Sequence, residues 1–245
     1  MRGRGGFLFI PMLQMLMLSM VVNPSFGYEE ISVTNGGTIA GQVRVSGVAP
    51  TPGKVEITKD EATCGKTEKT EEKLLVGADQ GVRNVVVSIE GIGRGKRQRR
   101  EGGIIDQKDC RYDPHVVLVP VGASLTIKNS DGILHNVHSH SVVNPPFNKP
   151  QPKFKKTLKE TFAKAEILRL TCDAHTWMSG WVVVHEHPYY VVTDERGNFS
   201  LTEIPPGEYT LRIWHETLGE KRQPITVKSG ANESLRIELR LPHNS

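Results

Sequence analysis

Apolar and polar residues alternate along most of this chain, and helical periodicity is weak throughout. In Ser124–Asn129, Leu125 and Ile127 fall on one face and Ser124, Thr126 and Lys128 on the other. Glu166–Thr171 alternates in the same way, so that Leu168, Leu170 and the following Cys172 share a face. Further runs at 38–46, 82–90, 157–162, 181–185, 191–201, 204–213 and 223–228 are rich in β-branched residues and bounded by Gly, Pro, Asn or Asp. The pattern predicts an all-β protein. The 82–90 run is expected to open the central unit. Residues 144–156, rich in Pro, Asn and Lys, read as a long loop crossing between sheets, of the kind a Greek-key sandwich needs.

The chain opens differently. Arg2 and Arg4 precede an apolar run over 7–22, and Ser25-Phe26-Gly27 offers small residues for cleavage, so 1–27 is read as a secretory signal peptide. The run is too short, and too interrupted by Pro11 and Gln14, to predict a stable membrane span after cleavage. The protein is therefore expected to be exported, to a periplasm or the extracellular space. Removal of 1–27 lowers the formal charge from +4 to +2, a near balance that gives no reason to expect a nucleic-acid partner.

The chemistry concentrates in a loop between two predicted strands. Cys172, His175 and Met178 place a thiol, an imidazole and a thioether within seven residues, between 166–171 and 181–185. Two His and one Cys with a weak axial Met form the trigonal site of an electron-transfer copper centre. That set lacks one histidine. His135 is the candidate, because it follows the Ser124–Asn129 strand and the turn-like Asn129-Ser130-Asp131-Gly132.

His135-Asn136-Val137-His138 together with Cys172-x2-His175-x2-Met178 resembles the amicyanin-like members of the plastocyanin-like cupredoxin family, over roughly residues 82–186. The resemblance implies a Greek-key cupredoxin-like β-sandwich holding one copper ion, cycling between Cu(I) and Cu(II). It implies His135, Cys172 and His175 as strong ligands and Met178 as the axial one. It further implies that Asn136 ties the His135 segment to the ligand loop. Two residues depart from the family: Asp173 adds a negative charge beside the cysteine, and Trp177 puts a bulky ring where the family's solvent-facing histidine edge meets partners. On this reading electrons reach the metal through His175, near Trp177. His138 is not expected to be a ligand, since a strand turns positions 135 and 138 to opposite sides.

A second resemblance lies downstream. Thr193-Asp194-x-x-Gly197-x-Phe199 and Pro205-Pro206-Gly207-x-Tyr209 are similar to the carboxypeptidase regulatory-like domain, a second small β-sandwich, and Gly37-Thr38-Ile39-Ala40-Gly41-Gln42-Val43 resembles that family's opening strand. The expected organisation is thus a signal peptide over 1–27, an N-terminal β segment over 28–81 docking on the C-terminal sandwich, a copper unit over 82–187 and the second sandwich over 188–245. Such domains are accessory, which implies support or partner contact rather than chemistry.

Three cysteines are present. With Cys172 assigned to metal, Cys64 and Cys110 remain as a disulfide pair or as two unpaired buried thiols, and export favours the pair. Closing that loop would stabilise the fold by roughly 4 kcal/mol in the chain-entropy model. Between them, 93–100 carries five positive charges among glycines. It reads as a solvated hairpin tip, or as a docking patch for an acidic redox partner. Of the nine histidines, His115, His140, His185, His187 and His215 could build a second metal site, although scattered surface and core roles are the simpler reading. His243 lies in the tail.

No Gly-rich phosphate loop, Gly-x-Ser-x-Gly elbow or His-Glu-x-x-His run is present, and no enzyme is expected. The sequence therefore points to an exported one-electron carrier that serves a redox partner protein of the cytochrome or dehydrogenase type. The alternative is a copper-binding or surface-interaction protein with no electron-transfer role.

Overall fold

The computed structural model describes residues 27–242; the predicted signal segment, apart from Gly27, and His243 lie outside the described residues. Nearly every regular element is a strand, and the strands build two sandwiches. No helix among the described residues is long and apolar enough to cross a membrane.

One sandwich packs a five-stranded sheet on a four-stranded one. The larger sheet runs Asn148–Gln151, His135–Ser139, Glu166–Thr171, Ser179–His185, Val116–Pro120. The smaller runs Thr157–Thr161, Ser124–Asn129, Ile104–Lys108, Arg111–Asp113. Their inward residues, among them Ile105, Leu125, Ile127, Val137, Leu168, Leu170, Val182 and Val184, form one buried cluster that also contains Cys172 and Met178. Burial alternates strictly along Ser124–Asn129 and His135–Ser139, as a half-buried strand requires.

The second sandwich is assembled from both ends of the chain. Gly37–Ser46 pairs antiparallel with Asn198–Ile204 and parallel with Leu235–Arg240. The facing sheet runs Tyr190–Val192, Val86–Glu90, Gly207–His215, Gly219–Val227. Ile39, Val43, Val87, Ile89, Phe199, Leu211, Ile213 and Ile237 fill the core between them.

This corrects the expected boundary at 82. The 82–90 run is a strand, but its ordered part, Val86–Glu90, sits between Tyr190–Val192 and Gly207–His215 and not in the sandwich that carries His135 and Cys172. The physical reason lies in its burial. Val87 and Ile89 face their own sandwich core, while Val86 packs with Val116 and Val183 of the other sandwich. A strand covered on both faces reads as a continuous apolar run, and such a run does not say which sheet it joins.

Two loops are also corrected. Within 144–156, Asn148–Gln151 forms the edge strand beside His135–Ser139, paired through its backbone while Asn148 and Pro150 stay exposed. An edge strand with polar outward residues leaves no apolar alternation to read. The basic 93–100 stretch is not a hairpin tip but part of the link from one sandwich to the other. Arg94–Gly95 pairs parallel with Glu29–Glu30, and Lys96 Nζ donates to Thr202 O at 2.9 Å.

The sandwiches meet along an aromatic seam. Trp181 and Trp214 pack edge to face with ring centroids 4.9 Å apart, and His115 Nε2 is bonded to Glu216 Oε1 across the junction.

Candidate metal centre

Cys172 follows directly on Glu166–Thr171, and Met178 directly precedes Ser179–His185; those two strands are paired up to Thr171 and Ser179. The connecting loop is therefore closed tightly. Cys172 N–H donates to Met178 O at 3.3 Å and Met178 N–H to His175 O at 2.9 Å. The neighbouring strand, joined through Thr171↔His138 and Leu170↔Ser139, begins at His135. Beneath them Tyr112 is 1 % exposed, and its hydroxyl donates to Asn136 O at 3.1 Å and Thr171 O at 3.0 Å, tying the two ligand-bearing segments together. Gly180 lets this ring approach, since a Cβ there would lie 2.9 Å from Tyr112 Cβ.

His135, Cys172 and His175 converge. His135 Nδ1 and His175 Nδ1 are 3.0 Å apart and lie 3.8 and 3.7 Å from Cys172 Sγ. The centre of a triangle with those edges is about 2.0 Å from each corner, close to the roughly 2.0–2.3 Å at which first-row ions bond imidazole nitrogen and thiolate sulfur. Cys172 and Met178 are each 1 % exposed, and both histidines are fully buried. A second grouping, Cys110, Asp131 and His135, offers no thiolate, because Cys110 is bonded to Cys64 with Cα atoms 5.3 Å apart.

Each imidazole is oriented from behind. His135 Nε2 lies 2.9 Å from Asp131 Oδ2, and His175 Nε2 lies 2.9 Å from Asp60 Oδ2. A carboxylate on the outer nitrogen orients each ring and, in the neutral imidazole, leaves Nδ1 as the lone pair that faces the sulfur. Asp131 is held in turn by the N–H groups of Asp109 and Cys110, at 2.6 and 2.9 Å. Burial pushes the His135 imidazole down, and its bonds to Asp131 and Cys172 reverse this, raising it to about 9. Burial pushes the Cys172 thiol up, but bonds from His135, His175 and Asn136 N–H bring it down to about 6. The metal-free pocket therefore already favours a sulfur anion.

Asn136 braces the loop. Its Oδ1 accepts from the N–H of Asp173 at 2.6 Å and of Ala174 at 3.1 Å, and its own N–H donates to Cys172 Sγ at 3.5 Å. Asp173 turns outward onto His138 Nδ1 at 3.0 Å and Asn148 Nδ2 at 2.6 Å. Trp177 packs its ring 5.1 Å from His175 and donates Nε1–H to Cys110 O at 3.2 Å.

One expectation is overturned here. His175 does not present a solvent-facing edge, because residues around Asp60 cover it. That cover is bound to the first sandwich by the Cys64–Cys110 disulfide and by the buried Lys69, whose Nζ reaches Cys64 O at 2.6 Å and Asp109 Oδ1 at 3.0 Å. Asp60 and Asp131, the carboxylates behind the two rings, are not among the candidate residues of the sequence. Asp131, in the turn four residues before His135, could have been found from its placement. Asp60, 115 residues from His175, had no local signal.

Among the described residues, the remaining histidines do not gather into one site. His115 and His215 lie at the inter-sandwich seam beside Glu216. His185 and His187 pack against Tyr190, and His140 stacks on His138.

Residues 178–240 match the carboxypeptidase regulatory-like domain family. That span begins within the first sandwich, at Met178, and lacks the two strands that 37–46 and 86–90 add to the second one. No curated protein matches the chain. Solved structures similar to it include an oxidised amicyanin variant, 26% identical over 36% of this chain and 87% of that one, with a TM-score of 0.32. A purple cupredoxin from Nitrosopumilus maritimus is 25% identical over 35% of this chain and 99% of that one, with a TM-score of 0.30. A copper-containing nitrite reductase from Thermus scotoductus is 22% identical over 38% of this chain and 24% of that one, with a TM-score of 0.33.

Proposed function

We propose that this is an exported copper protein whose buried site, His135, Cys172 and His175 with Met178 as a weak axial ligand, holds one ion and passes single electrons to and from a redox partner protein. The observation that carries this is the donor triangle: two imidazole nitrogens and one sulfur at bonding radius from a common centre, all buried. Copper in such a set supplies a one-electron couple. The chain's own residues supply rigidity. Asp131 and Asp60 hold the two rings, Asn136 and Tyr112 fix the ligand loop against its neighbouring strand, and the apolar cluster excludes water. A cage held this way needs little rearrangement when its charge changes. The Cys64–Cys110 disulfide suits an oxidising compartment, in keeping with export.

A second reading, a copper-holding protein with no electron-transfer role, is favoured by the covered edge of His175. Voltammetry of the Cu(II)-reconstituted full chain separates the two. A reversible one-electron wave is expected for the carrier, and a redox-silent copper form would leave the holding role alone.

A further inference from the structure

Outside the buried cage, a second set of metal-binding side chains flanks the same cysteine. His138 and His140 stand two residues apart on the outward side of their strand, with ring centroids 4.4 Å apart and planes inclined by 27°. His138 Nδ1 is 3.0 Å from Asp173 Oδ1, and His140 Nε2 is 2.8 Å from Thr171 Oγ1. Those anchors are the residues on either side of Cys172. Asp173 is itself fixed by Asn148 Nδ2 at 2.6 Å.

The hydrogen bonds set which ring nitrogens stay available. A carboxylate at His138 Nδ1 leaves Nε2 outermost, the arrangement by which carboxylates orient metal-binding histidines. Thr171 Oγ1 occupies His140 Nε2 and leaves the free nitrogen, Nδ1, on the other side of that ring. Neither free nitrogen has a protein partner among the described residues. The pair is open to solvent, the His138 side chain being 35% exposed. Two adjacent solvent-facing imidazoles, one of them backed by a carboxylate, offer two nitrogen donors to a borderline divalent ion whose other positions are filled by water.

We infer that His138 and His140 form a second, exchangeable surface site for Cu(II) or a similar divalent ion, with Asp173 and Thr171 as the residues that aim the rings. With two protein ligands it binds more weakly than the three-donor cage. It shares no ligand with the cage, so it stands or falls independently of the electron-carrier reading.

The test adds Cu(II) alone to the metal-free full-length chain, counts bound ions by equilibrium dialysis and records electron paramagnetic resonance. Wild type is expected to take two equivalents, the weaker one showing a tetragonal nitrogen–oxygen signal. His138→Ala and His140→Ala should each weaken that second equivalent by at least about tenfold. His138→Gln keeps a donor to Asp173 and should lose the ion equally, which separates ligation from local structure. Cys172→Ser should abolish thiolate-bound copper yet retain the nitrogen–oxygen signal. Saturation of wild type at one equivalent would overturn the assignment, and so would a second equivalent that survives unchanged when both histidines are replaced.

Discussion

His175 and Asp60, separated by 115 residues in sequence, meet with Nε2 and Oδ2 2.9 Å apart. The bond closes the side of the candidate metal cage that would otherwise face water, and it makes an N-terminal segment part of a site whose donors all come from the sandwich. Both histidine donors thus carry a carboxylate, because Asp131 does the same for His135. Negative charge behind both rings favours the more positive state of a bound ion.

Replacing Asp60 by Asn keeps a side chain of the same shape and removes the charge. Asp60→Asn should raise the reduction potential of the copper-loaded protein and weaken metal binding by about tenfold to a hundredfold. Voltammetry and competition with a chelator measure the two effects. An unchanged potential would show that the carboxylate only fills space.

The cover over His175 depends on the Cys64–Cys110 bridge. The double substitution Cys64→Ser, Cys110→Ser should cost about 2–5 kcal/mol in denaturant unfolding. It should also expose the His175 edge, so that the reduced protein reacts faster with a small-molecule oxidant in stopped flow. Equal rates in both forms would mean that electrons do not pass at that edge.

The convergence of His135, Cys172 and His175 is legible because Cys172 and His175 fall within one loop and His135 directly follows a turn; local spacing reports local geometry. The two carboxylates behave differently. Asp131 is close in sequence to its partner, whereas Asp60 reaches His175 only through a disulfide and a buried lysine, contacts that leave no periodic trace. The same limit explains the fold. Its β-branched content marks Val86–Glu90 as extended, but its assignment to one of two sheets is decided by tertiary packing on both faces. Asn148–Gln151 is an edge strand without apolar side chains to bury, and so carries no hydrophobic pattern.

That strand assignment has a consequence for dissection. A fragment covering 82–187 would carry Val87 and Ile89 without the sandwich that buries them, and would lack Asp60 and Cys64. Such a fragment is expected to aggregate or to bind a hydrophobic dye, as followed by light scattering and fluorescence. A soluble, cooperatively unfolding fragment would contradict the packing described.

Acid stability should depend on Glu166. Burial pushes its carboxyl up, but bonds from Ser141, Asn144 and the N–H groups of Val142 and Val143 overcome this and hold it at about 2. A carboxyl held low in the folded state stabilises the fold above its ordinary range and loses that contribution as pH falls through the folded value. Stability should therefore decline between roughly pH 4.5 and pH 2. Glu166→Gln should be less stable at neutral pH and flatten that decline, as read from thermal unfolding against pH.

A bond from Cys172 to a copper ion shared with His135 and His175 is read in the visible spectrum of the Cu(II)-reconstituted protein set beside that of Cys172→Ser. An intense thiolate-to-copper band in wild type that vanishes in the variant is predicted. A wild-type protein that binds copper without that band, or a band that survives the loss of the sulfur, would contradict the account.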